Sequence, residues 1–433
     1  MNEASDNDPY LMIAADSHAG LPTAEYRPYL EKRFLPDFDE FLAGRSAALA
    51  EITAMGVRNE KFAKQWFEQH ERELAGGWDA ERRNEALDGD GVAAEVIYPD
   101  ADAVESRTCV PFGAGLGLSG DLDPALGMAG SKAHNRWLAE LCSHSPERRC
   151  GVALVPITAD LDDVLAEIRH AKESGLGAVM IPARWVHQLP YQDRHYDPVW
   201  ALCEDLEMPV VTHSGGVPRE EFGGHLGIYV TEVTWWPARP LWFLLWSGVF
   251  ERYPRLRFGV TESGCWWMAQ LLWSWDRLFI GHQGSSKLAT DAFPLTMLPS
   301  EYVDRNCFCG LAGIKRRELG MRYEIGIDNM LWGTDFPHPE GTWPNTRDWL
   351  QKTFFDIPID ETRRMVGLAA AETFGFDIDR LQPLADKIGP TPTDLGQLGA
   401  GRTAAALSER WAPVKEVGRH WLTEHDFSMI PTI

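Results

Sequence analysis

Cysteine is scarce in this sequence. The chain has seven cysteines in 433 residues, an odd number, and no pair of Cys-X-X-Cys elements. This pattern fits neither a disulfide framework nor a thiolate zinc site. Cys307 and Cys309, which alternate along a predicted strand, are therefore interpreted as core residues.

Basic residues are also few relative to acidic ones. Lys and Arg number 41 against 64 Asp and Glu, which gives a formal net charge of -23. A surface of that sign repels phosphate backbones and anionic lipid, so we expect no nucleic-acid or membrane partner. Long apolar runs and a basic region ahead of an apolar one are missing too. We expect a cytoplasmic enzyme with a small-molecule substrate.

Short β-branched runs alternate with longer segments of helical periodicity. The strand-like runs are Leu11 to Asp16, Ala93 to Tyr98, Gly151 to Val155, Ala178 to Ile181, Pro209 to His213, Leu256 to Thr261, Arg305 to Cys309 and Met330 to Asp335. The predicted helices between them include Pro240 to Glu251. Repeated strand–helix units indicate a parallel sheet, and eight of them predict an α/β fold, a (β/α)8 TIM barrel.

Two parts of the chain fall outside this alternation. Residues 23–88 are too long for a loop and predict a helical insertion that covers the barrel mouth. The barrel domain spans residues 10–376, and 377–433 form a C-terminal extension. Within it, 388–402 is rich in Gly, Pro and Thr and predicts a linker, whereas 403–425 predicts an amphipathic helix. We expect a homo-oligomer, a dimer, in which this helix packs on a neighbouring subunit.

Metal-ligand side chains stand at the carboxyl ends of three predicted strands, where a barrel keeps its active site. The first strand ends in Asp16-Ser17-His18, an i, i+2 spacing that puts Asp16 and His18 on one face. The fifth ends in His213 and the eighth in Asp335. Two carboxylates and two imidazoles suit one divalent ion, zinc first, with manganese or iron as alternatives. We predict that all four residues bind this ion.

Several segments of the chain follow a family pattern. They are Ala15 to His18, Asn135 to Leu138, Pro146 to Arg148, Tyr196 to Trp200, Pro209 to His213 and Gly333 to His338, of which the last is the most specific. With them the chain, from about Leu11 to Phe376, resembles the amidohydrolase-related (amidohydrolase 2) branch of the amidohydrolase superfamily. That branch includes aminocarboxymuconate-semialdehyde decarboxylase, the resorcylate and carboxyvanillate decarboxylases, and many hydrolases.

The resemblance implies roles for the same candidates. It implies that His18 and His213 bind metal and that Asp335 binds it or relays a proton. Asp16 stands where decarboxylase relatives carry a Glu or Asp ligand.

The chain departs from the family pattern at several positions. Gly20 and Leu21 replace a second histidine and a glutamate found in other relatives, and no lysine ends the fourth strand, so a lysine-bridged two-metal centre is not expected. After the sixth strand, where several decarboxylases present a proton-donating histidine, this chain has Glu262. Glu262 is a candidate base, ligand or partner of a basic group.

Four more residues are candidates at the mouth. Arg184 follows the fourth strand and can pair with a substrate carboxylate or form a structural ion pair. Trp185 and His187, on the same loop, are candidate substrate contacts, and His338 is a candidate catalytic or metal-supporting residue. Eighteen tryptophans favour an aromatic-walled pocket, although core packing or a dimer interface explains them as well. The GLGLSG segment at 115–120 does not follow a strand directly, and we interpret it as a mouth loop instead of a nucleotide site.

Three functions are compatible with these residues. A metal-activated water predicts a hydrolase of a small aromatic or cyclic carboxylate or amide, with Asp335 accepting the water proton. Without a histidine after the sixth strand, this expectation comes first. Non-oxidative decarboxylation is the alternative, and an inactive barrel that binds a ligand is the second alternative.

Overall fold

Eight parallel strands form the centre of the molecule. The computed structural model describes residues 7–54, 60–101, 108–118, 122–215, 225–283 and 294–397. The strands are β1 (Ile13–His18), β2 (Ala94–Tyr98), β3 (Arg149–Leu154), β4 (Ala178–Met180), β5 (Val210–His213), β6 (Phe258–Thr261), β7 (Cys307–Ala312) and β8 (Met330–Gly333). They are hydrogen-bonded in chain order, each parallel to the next. The predicted barrel fold is confirmed.

Helices follow the strands and cover the sheet. They are α1 (Leu35–Ala54), α2 (Glu60–Leu74), α3 (Ala80–Asp90), α4 (Pro124–Ser143), α5 (Leu161–Glu173), α6 (Asp197–Asp205), α7 (Leu226–Glu232), α8 (Trp235–Trp246), α9 (Val249–Arg252), α10 (Trp266–Gln283), α11 (Pro299–Asn306), α12 (Arg316–Leu319), α13 (Arg322–Ile325), α14 (Thr346–Phe354), α15 (Ile359–Arg363), α16 (Ala369–Phe374) and α17 (Ile378–Ile388). Aspartate caps begin several of them, since Asp79, Asp123 and Asp160 each accept two amide hydrogen bonds at the helix start.

The barrel closes where β1 meets the residues that follow β8. The amide of Asp335 donates to the carbonyl of Asp16 at 2.8 Å, and the amide of His18 donates to Phe336 at 2.6 Å. Ser17 and Phe336 form a parallel bridge at the same place. Closure therefore brings Asp16 and His18, at the end of β1, next to Asp335, which follows β8.

Some predicted boundaries are wrong, for local reasons. Arg305, predicted to start the seventh strand, lies in α11, and the strand begins at Cys307 after a helix that Glu301 caps. The eighth strand ends at Gly333, so Asp335 lies two residues beyond it. Helix α8 starts at Trp235, five residues before the predicted start at Pro240, because Pro237 and Pro240 both fit within it.

The insertion and the tail have the following structure. Residues 23–88 contain helices α1 and α2 and most of α3, with short 3-10 turns before α1 and between α2 and α3. Trp66 and Phe67 of α2 pack on Phe336 and Trp343, which follow β8 at the active-site end of the barrel. Beyond α17, the amide of Tyr10 donates to Pro390 and Gln397 donates to Phe354. Residues 403–425, predicted as a helix, lie outside the described residues.

Buried side chains line both faces of the sheet. Cys307 and Cys309 are buried, which confirms their assignment to the core. Within the described part of the chain, no helix has the length and apolar character needed to cross a membrane.

Candidate metal centre and active site

Four predicted ligands meet at the carboxyl end of the barrel. The Nε2 atom of His18 lies 3.2 Å from Oδ1 of Asp335 and 3.6 Å from Oδ1 of Asp16. The Nε2 atom of His213 lies 3.3 Å from the same Asp16 oxygen. All four side chains are fully buried. Residues from β1, β5 and the segment after β8 thus converge as the sequence predicted.

The cluster has ligand atoms that the protein itself leaves unsatisfied. Within the described chain, Oδ2 of Asp16, Oδ2 of Asp335 and Nε2 of His18 are buried and make no hydrogen bond. Such burial is costly unless another group compensates it. Potential donor atoms of Asp16, His18 and His213 lie within 4.8 Å of one another. A mixed set of nitrogen and carboxylate oxygen at this spacing fits one divalent ion.

Backbone carbonyls orient both histidines. The Nδ1 atom of His18 lies 2.8 Å from the carbonyl of Pro99, which can only accept, so Nδ1 carries the proton. The Nδ1 atom of His213 lies 3.0 Å from the carbonyl of Ser214. In each ring Nε2 therefore faces the cluster, and a ring without a proton on Nε2 is the tautomer that a metal ligand requires.

The loop after β2 fixes the backbone carbonyl of Asp100 beside His338. Its backbone is left-handed, with φ 63°, and its carbonyl lies 3.1 Å from Nε2 of His338. Its carboxylate accepts hydrogen bonds from the amides of Val110 at 3.0 Å and Leu116 at 2.7 Å. A Cβ atom on Gly115 would lie 2.0 Å from Oδ2 of Asp100, so the loop requires glycine there. Gly115 and Leu116 of the glycine-rich segment thus lie against the carboxylate of Asp100, beside the site.

Glu262 and His338 border the cluster. The Nδ1 atom of His338 lies 2.9 Å from Oδ1 of Asp335, and its ring centroid lies 4.0 Å from that of His18. Glu262 follows β6 in a left-handed conformation, with φ 54°. Its Oε2 accepts a hydrogen bond from the Ser214 hydroxyl and lies 3.4 Å from Nδ1 of His213. Both predicted residues therefore lie beside the predicted ligands.

Burial and mutual charge shift the protonation of these groups. Burial, reinforced by the Asp335 carboxylate, raises the pKa of Glu262 to about 7. Burial and His338 lower the pKa of His18, but Asp16 and Asp335 outweigh them and raise it to about 9. Burial would raise the pKa of Asp335, yet His338 and His18 hold it well below its usual range. The site therefore holds exchangeable protons near neutral pH.

A buried ion pair between α3 and β2 stabilises the end of β1. Arg83 of α3 donates to Glu95 of β2 at 2.7 Å and to the carbonyl of His18 at 2.8 Å. The Ser17 hydroxyl also donates to Glu95 at 2.8 Å. The sequence analysis missed this pair. Its signal was a glutamate inside an otherwise apolar strand, because a buried carboxylate needs a cationic partner.

The predicted substrate residues form a separate group. Arg184 stacks on Trp236, with its guanidinium carbon 5.0 Å from the ring centroid. Trp185 packs on Tyr191 and Phe243, at centroid distances of 4.7 and 4.6 Å. The side chain of His187 is exposed. These contacts of Arg184 and Trp185 are with aromatic rings and not with the four predicted ligands.

Structural comparison finds similar proteins across most of the chain. An amidohydrolase from Mycobacterium avium subsp. paratuberculosis K-10 aligns with TM-score 0.63 and 18% identity, over 84% of this chain and 99% of that one. A dihydroxybenzoic acid decarboxylase from Polaromonas sp. JS666, with bound manganese and 2-nitroresorcinol, aligns with TM-score 0.56 and 17% identity, over 86% and 98%. A manganese-bound 5-carboxyvanillate decarboxylase from Novosphingobium aromaticivorans DSM 12444 aligns with TM-score 0.56 and 17% identity, over 84% and 97%.

At these identities the comparisons establish the shared fold. No curated protein matches the chain. A family model described as amidohydrolase matches residues 106–376, more than half of the sequence, and that segment includes His213, Glu262 and Asp335. The chain therefore belongs to the amidohydrolase family.

Proposed function

We propose that this protein is a metal-dependent, non-oxidative decarboxylase of a small aromatic carboxylate. The observation that carries the proposal is the group of three buried ligand atoms without partners, on Asp16, His18 and Asp335. Similarity to decarboxylases of dihydroxybenzoate and carboxyvanillate supports this chemistry over the hydrolysis that the sequence favoured.

Asp16, His18, His213 and Asp335 would hold the ion. When bound there, a divalent ion supplies Lewis-acid chemistry, since it neutralises and orients the oxygens of an anionic substrate. The manganese in two similar structures, together with the two carboxylates of this site, supports manganese in place of the zinc expected from sequence.

Glu262 is the proposed proton donor. As the bond between the ring and the carboxylate breaks, its electron pair stays on the ring carbon and CO2 leaves. The protonated Glu262 carboxyl delivers its proton to that carbon, and water returns a proton to the resulting carboxylate. The side chain is 20% exposed, which allows this return. The Ser214 hydroxyl donates a hydrogen bond to Glu262 and holds the Glu262 carboxyl group in one orientation.

Hydrolysis remains a second candidate because of the same residue. A carboxylate at the end of β6, in place of the histidine that several decarboxylase relatives present, can accept the proton of an attacking water. The two reactions differ in mass balance: decarboxylation releases CO2 without uptake of water, whereas hydrolysis adds one water to its products.

The decisive experiment tests the metal-loaded enzyme on a panel of hydroxylated benzoates and matched amides. We expect release of CO2, read by infrared detection in sealed vials, and a product that has lost its carboxyl group by mass spectrometry. His213→Ala should reduce turnover by at least about 1000-fold while leaving the circular dichroism spectrum unchanged. His170→Ala, an exposed histidine on α5, is the matched control.

Two results would contradict the proposal. Uptake of ¹⁸O from labelled water into the products, without CO2, would assign hydrolysis instead. A purified chain that takes up no divalent ion would favour the inactive, ligand-binding barrel.

A further inference from the structure

The loop that carries Glu262 turns sharply after β6. Glu262 and Gly264 both have left-handed backbones, with φ 54° and 61°. The amide of Glu262 donates to the carbonyl of Gly310 on β7 at 2.9 Å, so the loop begins against the neighbouring strand. A left-handed residue other than glycine costs about 1 kcal/mol or more, so Glu262 keeps this conformation only where other contacts hold the loop.

Glu318 of α12 binds the other end of this loop. Its Oε1 accepts a hydrogen bond from the amide of Cys265 at 2.7 Å, and its Oε2 accepts one from the amide of Lys315 at 2.9 Å. The bond from Lys315 is a local cap at the start of α12, whereas the bond from Cys265 joins α12 to the loop after β6. One carboxylate therefore links the loops that follow β6 and β7.

The contact between Glu318 and this loop is buried and close. Glu318 is 4% exposed, and its carboxylate makes charge-assisted hydrogen bonds, which are stronger than neutral ones. A Cβ atom on Gly264 would lie 2.8 Å from Oε1 of Glu318, so glycine at this position lets the carboxylate approach the backbone. The indole nitrogen of Trp267 donates to the carbonyls of Ser263 and Gly264, both at 3.1 Å. The backbone that follows Glu262 is thus fixed by two side chains.

The position of the Glu262 carboxyl group depends on this backbone. The carboxyl group accepts a hydrogen bond from Ser214 and lies beside His213, but the loop determines the point from which the side chain extends. A displacement of about 1 Å in a reacting group can cost about 100-fold in rate. Loss of the bond from Glu318 would release a strained loop three residues beyond the proposed proton donor.

We infer that Glu318 is a positioning residue, which acts through the amide of Cys265 to hold Glu262 in place for proton transfer. The inference rests on the proposed function for the role of Glu262. If Glu318 were only a cap of α12, its loss would change the stability of the fold and leave the chemistry of each folded molecule intact.

The first test does not require turnover. Glutamate side-chain carboxyl carbons are labelled with ¹³C in the zinc-loaded protein, since zinc is diamagnetic, and Glu262→Gln assigns the NMR resonance of Glu262. We expect Glu318→Gln, whose side chain can accept only one of the two amide bonds, to shift that resonance. Glu318→Asp, which keeps the carboxylate on a shorter side chain, should shift it as well. Glu301→Gln is the matched control, because Glu301 is exposed and caps α11 in the same way, through the amide of Leu298 at 2.7 Å.

The second test is a double-mutant cycle, with turnover expressed per bound ion so that a simple loss of folded protein does not count. We expect Glu318→Gln to reduce kcat roughly 10- to 100-fold while KM and the Kd for the ion stay nearly unchanged. In a Glu262→Gln background the same substitution should have no further effect, because Glu318 acts through Glu262. Glu301→Gln should leave kcat unchanged in either background.

Two outcomes would overturn the inference: a Glu262 resonance that does not move in Glu318→Gln, or an equal loss of kcat with and without Glu262. Failure of the proposed function gives a different result. If the acids and amides are hydrolysed, the cycle is run on that reaction, in which Glu262 is the candidate base, and coupling there supports the inference while refuting decarboxylation. In a protein without turnover, a resonance that moves in Glu318→Gln but not in Glu301→Gln would support the link between Glu318 and Glu262 and refute the proposed function alone.

Discussion

Single residues set the geometry of the metal centre through the backbone. Asp100, Glu262 and Asp335 all have positive φ, at 63°, 54° and 59°, although none is glycine. Each left-handed residue costs about 1 kcal/mol or more, and such strain is concentrated at functional sites. Asp100 is the most clearly supported of the three, because two amides hold its carboxylate while its carbonyl meets His338.

Gly115→Ala tests this support at the residue scale. The added Cβ would overlap Oδ2 of Asp100, so the carboxylate must leave the Leu116 amide, and the carbonyls of residues 99 and 100 shift with it. We expect metal affinity to fall about 10- to 100-fold, as for other changes in groups that orient ligands. Competition with a chromophoric chelator measures the Kd.

Gly117→Ala in the same loop serves as the control. Its Cβ would meet its nearest neighbour at 3.4 Å, an ordinary contact. If the two variants bound metal equally well, the proposed role of the hydrogen bonds that hold the Asp100 carboxylate would be wrong.

At the scale of elements, the Arg83–Glu95 pair ties α3 and β2 to the end of β1. The pair is fully buried, with further hydrogen bonds from Arg83 to Gly76 and His18. Removal of one partner leaves a buried charge without compensation, which is far more costly than loss of an exposed pair.

Glu95→Gln should therefore lower the free energy of unfolding by about 3–5 kcal/mol, measured by urea denaturation. Glu85→Gln, which removes an exposed partner of Arg72 and Arg82, should leave the unfolding curve unchanged. Equal curves for the two variants would show that the buried pair adds nothing to stability.

For the molecule as a whole, an ion that binds only the folded state should stabilise it. The proposed ligands come from β1, from β5 and from the segment after β8, so no local unfolded segment gathers them. Binding at about 100 times the Kd contributes about 2.7 kcal/mol by mass action. A chelator should lower the Tm, and readdition of manganese should restore it.

His213→Ala should show no such dependence on the ion, because it lacks the proposed ligand at the end of β5. A Tm that does not respond to chelator in the unaltered protein would contradict a metal centre at this site.

The sequence alone predicted the barrel fold and the four candidate metal ligands. Parallel strands covered on both faces are mostly apolar and rich in β-branched residues, so they can be recognised one by one. Ligand types at strand ends are equally local, which is why Asp16, His18, His213 and Asp335 were predicted together.

Only the tertiary structure decided what surrounds them. Asp335 lies beyond its strand because barrel closure, through the Asp16 carbonyl, determines where β8 ends. Arg239 stacks on Trp185 and Phe243 because the fold brings α8 against the loop after β4. The ion pair of Arg83 with Glu95 joins α3 to β2, and the hydrogen bonds to the Asp100 carboxylate join the end of β2 to Val110 and Leu116. No sequence spacing predicts these contacts. Partners of this kind depend on distances across the fold, and periodicity carries no information about those distances.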